Sequence, residues 1–273
     1  MTKNTVSNVG LLLRDWRQRR RLSQLELVME ADVSSRHLSF VETGRARPSR
    51  ELLLDLADHL DVPLRQRNEL LLAAGYAPVY SQRPLEADAM SPVREALDRV
   101  LAGHEPFPAL IVDSRWDLVS ANAPALAVFT DGVAPEQLAP PVNVLRLALH
   151  PEGLAPRILN LTEVRAHLLF RLRRRVALTG DGQLADLLEE LSSYPEPAAS
   201  GDEQAATNAV FVPLRIRYGG HELSFFSTLA TFDTPLDVTV AELLIEACFP
   251  ADAATAALFA SAWSSALAAS TDA

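Results

Sequence analysis

The chain has 273 residues, 48% of them hydrophobic, a formal net charge of -10 and a single cysteine, Cys248. That length calls for about two domains with a sizeable core, and the apolar content excludes general disorder. One cysteine excludes an internal disulfide and a thiolate metal cluster, which fits a reducing cytoplasm.

The polar start MTKNTVSN lacks the apolar core of a signal peptide. The longest uncharged run, 253–271, places Leu258, Phe259, Trp263 and Leu267 on one helical stripe, so it reads as an amphipathic surface helix and not a membrane span. Charge is unevenly distributed: residues 1–50 hold ten Lys or Arg against five acids, a net of +5, which leaves 15 basic and 30 acidic residues, a net of -15, for the rest. A basic head on an acidic body is the layout of a protein that binds a polyanion through one part of its chain.

Val9, Leu12, Leu13 and Trp16 have the spacing of one buried helix face and predict a first helix from Val9 to about Arg20. Ser23-Gln24-Leu25-Glu26 is a capping box, with Leu22 and Leu27 at the positions of a hydrophobic staple, so a second helix starts there. The pattern recurs at Ser34, flanked by Val33 and Leu38, only a few residues after the second helix ends near Ala31. Two short helices joined by so tight a turn make a helix-turn-helix. A fourth helix follows Pro48-Ser49 with Leu52, Leu53, Leu56, Ala57 and Leu60 on its apolar face, and a fifth runs from about Arg65 to Ala74 and stops at Gly75.

These residues resemble the five-helix Cro/C1-type (XRE) helix-turn-helix domain over about residues 9 to 75. The likeness rests on Ser23-Gln24, the apolar frame Leu27, Ala31, Val33, Leu38 and Val41, and Glu42-Thr43-Gly44-Arg45 followed by Pro48-Ser49. Val28 replaces the family's usual Ala, and Asp32 its usual turn Gly; Asp tolerates the left-handed region, so the turn is expected to survive. The resemblance implies double-stranded DNA as partner, with Gln24 on a phosphate and the third helix in the major groove. Ser35, Arg36, Ser39 and Phe40 then face the bases. Arg36 matches the O6 and N7 acceptors of guanine, and Phe40 can pack on a thymine methyl. Arg45 and Arg47 follow the reading helix and are expected to grip the DNA backbone. His37 is read as a surface or packing residue.

Residues 77–92 hold three Pro among few large apolar residues and read as a linker. Ser91-Pro92 opens another helix with Val93, Leu97 and Val100 on one face, ending at Gly103. The period then becomes two: ALIVDSRWDLVSAN predicts a strand, a turn at Asp113-Ser114 and a second strand, with Asn122 capping a helix through Phe129. A mostly helical stretch from Val142 to about Ser193 precedes a clear hairpin. A two-residue Gly219-Gly220 loop pairs Tyr218 with His221, Ile216 with Leu223 and Leu214 with Phe225, and sets Arg217 against Glu222 as an ion pair on the other face. A last strand from Thr239 to Phe249 alternates Ala241, Leu243, Ile245 and Ala247 inward against Glu242 and Glu246 outward.

The strand order predicts an α+β chain: a five-helix domain, then a PAS-like domain with a five-stranded antiparallel sheet and helices. The segments PALIVDSRWDLVSANAPALAVF and FFSTLATFDTPLDVTVAELLIEACFPAD resemble the C-terminal domain of MmyB-like regulators over roughly residues 105 to 267. The resemblance implies a transcription factor whose C-terminal domain binds a small effector. The division expected is 1–76 for DNA binding, 77–104 for linker and connecting helix, and 105–273 for the effector domain. Trp116, Leu118, Phe129, Leu168, Phe211, Leu214, Phe225 and Phe226 are the candidate pocket lining, which favours an apolar ligand. A fatty-acid-like molecule, its carboxylate met by an arginine of RLRRR such as Arg171, is the reading adopted. The alternative is a dimerisation or protein-interaction module with no small ligand.

Enzyme chemistry has no support in the sequence. His104, His150, His167 and His221 lack metal-ligand spacing, there is no phosphate loop or G-x-S-x-G elbow, and Cys248 sits in an apolar strand as a small core residue. No required cofactor or metal is expected, and no membrane contact. The expected protein is a cytoplasmic homodimer on a pseudo-palindromic operator.

Overall fold

The computed structural model describes residues 9–195 and 211–261. The chain forms two compact units: Met1–Ala87 together with Phe232–Ala241, and Asp88–Thr231 together with Glu242–Ala273.

The first unit is helical: α1 (Val9–Arg19), α2 (Gln24–Glu30), α3 (Ser35–Glu42), α4 (Arg50–His59) and α5 (Leu64–Ala73). Local chemistry sets its boundaries. The Ser23 hydroxyl accepts from the Glu26 amide while the Glu26 carboxylate accepts from the Ser23 amide, and Ser34 and Ser49 cap α3 and α4 in the same way through their hydroxyls. Asp32 adopts φ 49° and turns the chain between α2 and α3. Leu13, Leu27, Leu38, Val41, Leu53, Leu56 and Leu71 form the core. Gly10 lets α1 approach α3 closely, because a Cβ there would lie 2.1 Å from the Val41 carbonyl oxygen.

A buried ion pair fastens the same helices. The Arg17 guanidinium donates to both Glu42 oxygens at 2.7 and 2.9 Å and to the Leu22 carbonyl at 2.8 Å. Gln24 donates a third hydrogen bond to Glu42 at 2.7 Å. Burial alone would push the Glu42 carboxyl up, but the bonds from Arg17 and Gln24 outweigh it and hold its pKa below the ordinary value. Arg20 caps α4 by donating to the Leu60 and Asp61 carbonyls at 2.7 Å each.

The segment 232–241 belongs to this unit, although the sequence places it inside the effector domain. It carries a short helix, α11 (Val238–Ala241), that packs against α5. It is laced to the linker: the Val238 amide donates to Ser81 at 2.8 Å, and the Thr239 hydroxyl donates to Arg83 at 2.7 Å.

The second unit contains α6 (Ser91–Gly103), β1 (Ala109–Val112), β2 (Leu118–Ala121), α7 (Ala123–Thr130), α8 (Val144–Leu149), α9 (Leu161–Thr179), α10 (Gly182–Ser193), β3 (Leu214–Tyr218), β4 (His221–Ala230), β5 (Leu244–Pro250) and a final helix from 253 to the last described residue, 261. The five strands make one antiparallel sheet in the order β2-β1-β5-β4-β3. Gly219 and Gly220, at φ 55° and 81°, supply the left-handed pair that a two-residue hairpin loop requires. The β3–β4 register is the expected one, from Leu214 opposite Phe225 to Tyr218 opposite His221. Asn122 caps α7 and also joins the loops around it, accepting from Ala109 and donating to Phe107.

Three details differ from the sequence expectation. Glu222 pairs with Arg215 on the diagonal, at 2.6 Å, and not with the directly opposed Arg217, whose carbonyl accepts from Arg157. The last strand begins at Leu244, because 238–241 is helical. Its alternation is also inverted: Leu244 and Cys248 are buried and Glu246 shares their side of β5. Of the stripe expected over 253–271, Phe259 is buried in the core; Trp263 and Leu267 lie outside the described residues. Among the described residues no helix is long and apolar enough to cross a membrane.

Candidate reading helix and effector pocket

The α2–α3 turn sets the exposed side of α3 outward by burying Leu38 and Val41 on the other. Ser35, Arg36 and His37 are exposed on its first turn, with Ser39 and Phe40 half-buried beyond them. The Arg36 guanidinium lies 5.3 Å from the centroid of the Phe40 ring, so the two candidate base readers form one preset group.

The arginines after α3 divide. Arg45 is exposed, and among the described residues its side chain has no hydrogen-bond or ion-pair partner. Arg47 donates to the Ala74 and Gly75 carbonyls at 2.9 and 3.3 Å, and stacks 4.7 Å over Tyr76, so it holds the C-terminus of α5. Gln24, expected on a phosphate, has one amide donor committed to Glu42. The sequence reading missed the Arg17–Glu42–Gln24 network; its one trace was an acid, Glu42, directly after the buried Val41.

In the second unit an apolar cavity of about 140 Å³ lies between sheet and helices. Its sheet side is built by Leu110 of β1, Leu214 of β3, Phe225 and Ser227 of β4, and Glu246 and Cys248 of β5. Phe129 of α7, residues of α8, and Val164, His167, Leu168 and Arg171 of α9 form the other side. Of the expected lining, Phe129, Leu168, Leu214, Phe225 and Arg171 meet at this cavity. Trp116 packs instead with Leu145, Leu172 and Leu184, in a separate core cluster. Leu118 is half-buried on β2, outside the cavity lining. Phe226 alternates away from Phe225 onto the other face of β4, stacked 5.3 Å from Phe249 and 5.5 Å from the exposed Phe211.

Polar groups enter the cavity from both sides: His167 and Arg171 from α9, Ser227 and Glu246 from the sheet. His167 and Arg171 are one helical turn apart, so both reach the cavity from α9. An Arg171 Nη2 is buried without a hydrogen-bond partner. Burial, then the Arg171 charge, lowers the His167 pKa, with Glu246 opposing. Burial followed by the Glu246 charge raises the Cys248 thiol, which stays protonated and unreactive. Of the other arginines in RLRRR, Arg173 and Arg174 are exposed, while Arg175 is half-buried beside the charges of Glu242 and Asp181. Among the described residues no cluster of His, Cys, Asp or Glu could hold a metal.

A helix-turn-helix head with an exposed reading face, and a sheet unit with an apolar pocket, make this a DNA-binding transcription regulator with a ligand-binding domain. Residues 8–70 match the family model of a helix-turn-helix domain, and residues 93–262 match that of the MmyB-like transcription regulator ligand binding domain. The second match covers more than half of the chain, and the protein belongs to the MmyB-like transcription regulators. No curated protein matches the chain.

Proposed function

We propose that the protein is an effector-controlled, sequence-specific regulator whose PAS-like domain binds an apolar acid of fatty-acid type. The observation that carries this reading is the unpaired Arg171 donor in a mostly apolar cavity. A buried charged donor without a partner is costly, and a ligand carboxylate supplies the partner while its chain covers Phe129, Leu168 and Phe225. Arg36 and Phe40 read bases, with Ser35 and Ser39 beside them; Gln24 and Arg45 hold phosphates. Two copies of the chain present their α3 helices about 34 Å apart on a pseudo-palindromic operator. Effector binding changes DNA affinity only as far as it favours one arrangement of the two heads.

The test is native mass spectrometry of the gently purified full chain, alone and with added dodecanoate. The expected result is an acyl-acid adduct, weakened about 10-fold by Arg171→Gln, the size of a lost charged hydrogen bond. A chain that is empty and ignores dodecanoate refutes the reading.

A further inference from the structure

Glu246 is half-buried and lines the cavity from its sheet side. It lies on β5, the middle strand of the sheet, opposite Leu110 of β1 and Leu229 of β4. Pairing on both sides fixes the register, so the carboxylate cannot leave the cavity wall by a slip of the strand. An ionised carboxylate only accepts hydrogen bonds. Among the described residues no protein donor is bonded to this one.

Arg171 enters the same cavity from α9 with a donor unpaired. The cavity therefore holds an unpaired donor on α9 and a carboxylate with no protein donor on β5, with the His167 ring within reach of both charges. A plain carboxylate would satisfy Arg171 yet bring a second anion into the cavity that Glu246 lines, and like charges repel. A head group that both accepts and donates leaves neither side unmatched.

We infer that the effector is a hydroxylated acyl acid, whose carboxylate is taken by Arg171 and whose hydroxyl donates to Glu246, making Glu246 the residue that selects it over a plain fatty acid. The inference rests on the apolar-acid reading above and adds the donor to it.

The experiment compares binding of dodecanoate and 3-hydroxydodecanoate to the full chain by calorimetry, for wild type, Glu246→Ala and Glu246→Gln. Wild type is expected to favour the hydroxy acid about 10-fold, as a hydrogen bond to a charged acceptor implies. Glu246→Ala should erase that preference and bind dodecanoate more tightly than wild type, because the repulsion is gone. Glu246→Gln, nearly isosteric, keeps an acceptor oxygen and should retain part of the preference. Wild type binding both acids equally, or dodecanoate better, overturns the donor requirement and leaves the apolar-acid reading standing. A preference that persists in Glu246→Ala overturns Glu246 as the acceptor, and a chain that binds neither acid overturns both readings.

Discussion

Replacing Glu42 by Ala removes three hydrogen bonds at once: two from Arg17 and one from Gln24. Arg17 is only 7% exposed and cannot turn to water, so its guanidinium keeps one partner, the Leu22 carbonyl. Breaking a buried ion pair from one side costs about 3–5 kcal/mol, most of it the uncompensated charge left behind. Removing both charges together, as Arg17→Met with Glu42→Leu, should cost far less, since packed apolar groups replace the pair without orphaning either partner. Hydrogen exchange of the α1 and α3 amides in the full chain reads the head by itself, and about 3–5 kcal/mol corresponds to roughly two to four orders of magnitude faster exchange in Glu42→Ala. pH provides a second axis. The folded pKa of Glu42 lies below its unfolded value, so its contribution is complete above the unfolded value and is lost as pH falls through the folded one. Protection of the α1 and α3 amides, corrected for the intrinsic exchange rate at each pH, should therefore fall in acid more steeply in the wild type than in the double variant. A single Glu42→Ala that changes exchange less than about fivefold, or a double variant as damaged as the single, would refute the reasoning.

Arg36→Ala should cost about 1–3 kcal/mol in operator binding and relax preference at one position, which binding-site selection measures; unaltered selectivity removes Arg36 as a base reader. Arg45→Ala should weaken binding to all sequences alike and lower the salt slope by about one, whereas Arg47→Ala should loosen the head by about 1 kcal/mol through loss of the α5 cap. A salt slope unchanged by Arg45→Ala argues against its phosphate contact, and a head equally stable without Arg47 argues against the cap. Gly10→Ala drives a methyl into the Val41 carbonyl and should destabilise the head by about 1–3 kcal/mol, seen as faster exchange in α1 and α3.

Local chemistry is what the sequence displays best. Ser23, Ser34, Ser49 and Asn122 cap helices where their positions predict, and Asp32 takes the left-handed turn. The β3–β4 register follows from Gly219-Gly220 because the loop and both faces agree. Long-range partners are less visible. Arg17 and Glu42 are 25 residues apart, and nothing local distinguishes Arg17 from the solvent-facing arginines around it. Arg47 is similar: its partners are the carbonyls of Ala74 and Gly75, which carry no side-chain signature. Period-two reasoning also assigns a charged residue to the wet face, so it sent Glu246 outward and missed that this acid lines the cavity. Trp116 and Phe226 show the reverse error, since large aromatic character does not say which of several apolar clusters a residue joins.

The membership of 232–241 in the helical unit bears on how this chain can be recombined. A head cut after residue 87 and fused to an unrelated sensor would lack α11, and α5 would lose the surface that α11 covers. The chain passes between the units three times, after residues 87, 231 and 241, so the head is not a cassette written in one continuous stretch. Exchange of effector domains between such proteins is therefore constrained to partners whose β4–β5 connection can still supply Val238 and the lacing to residues 81–83.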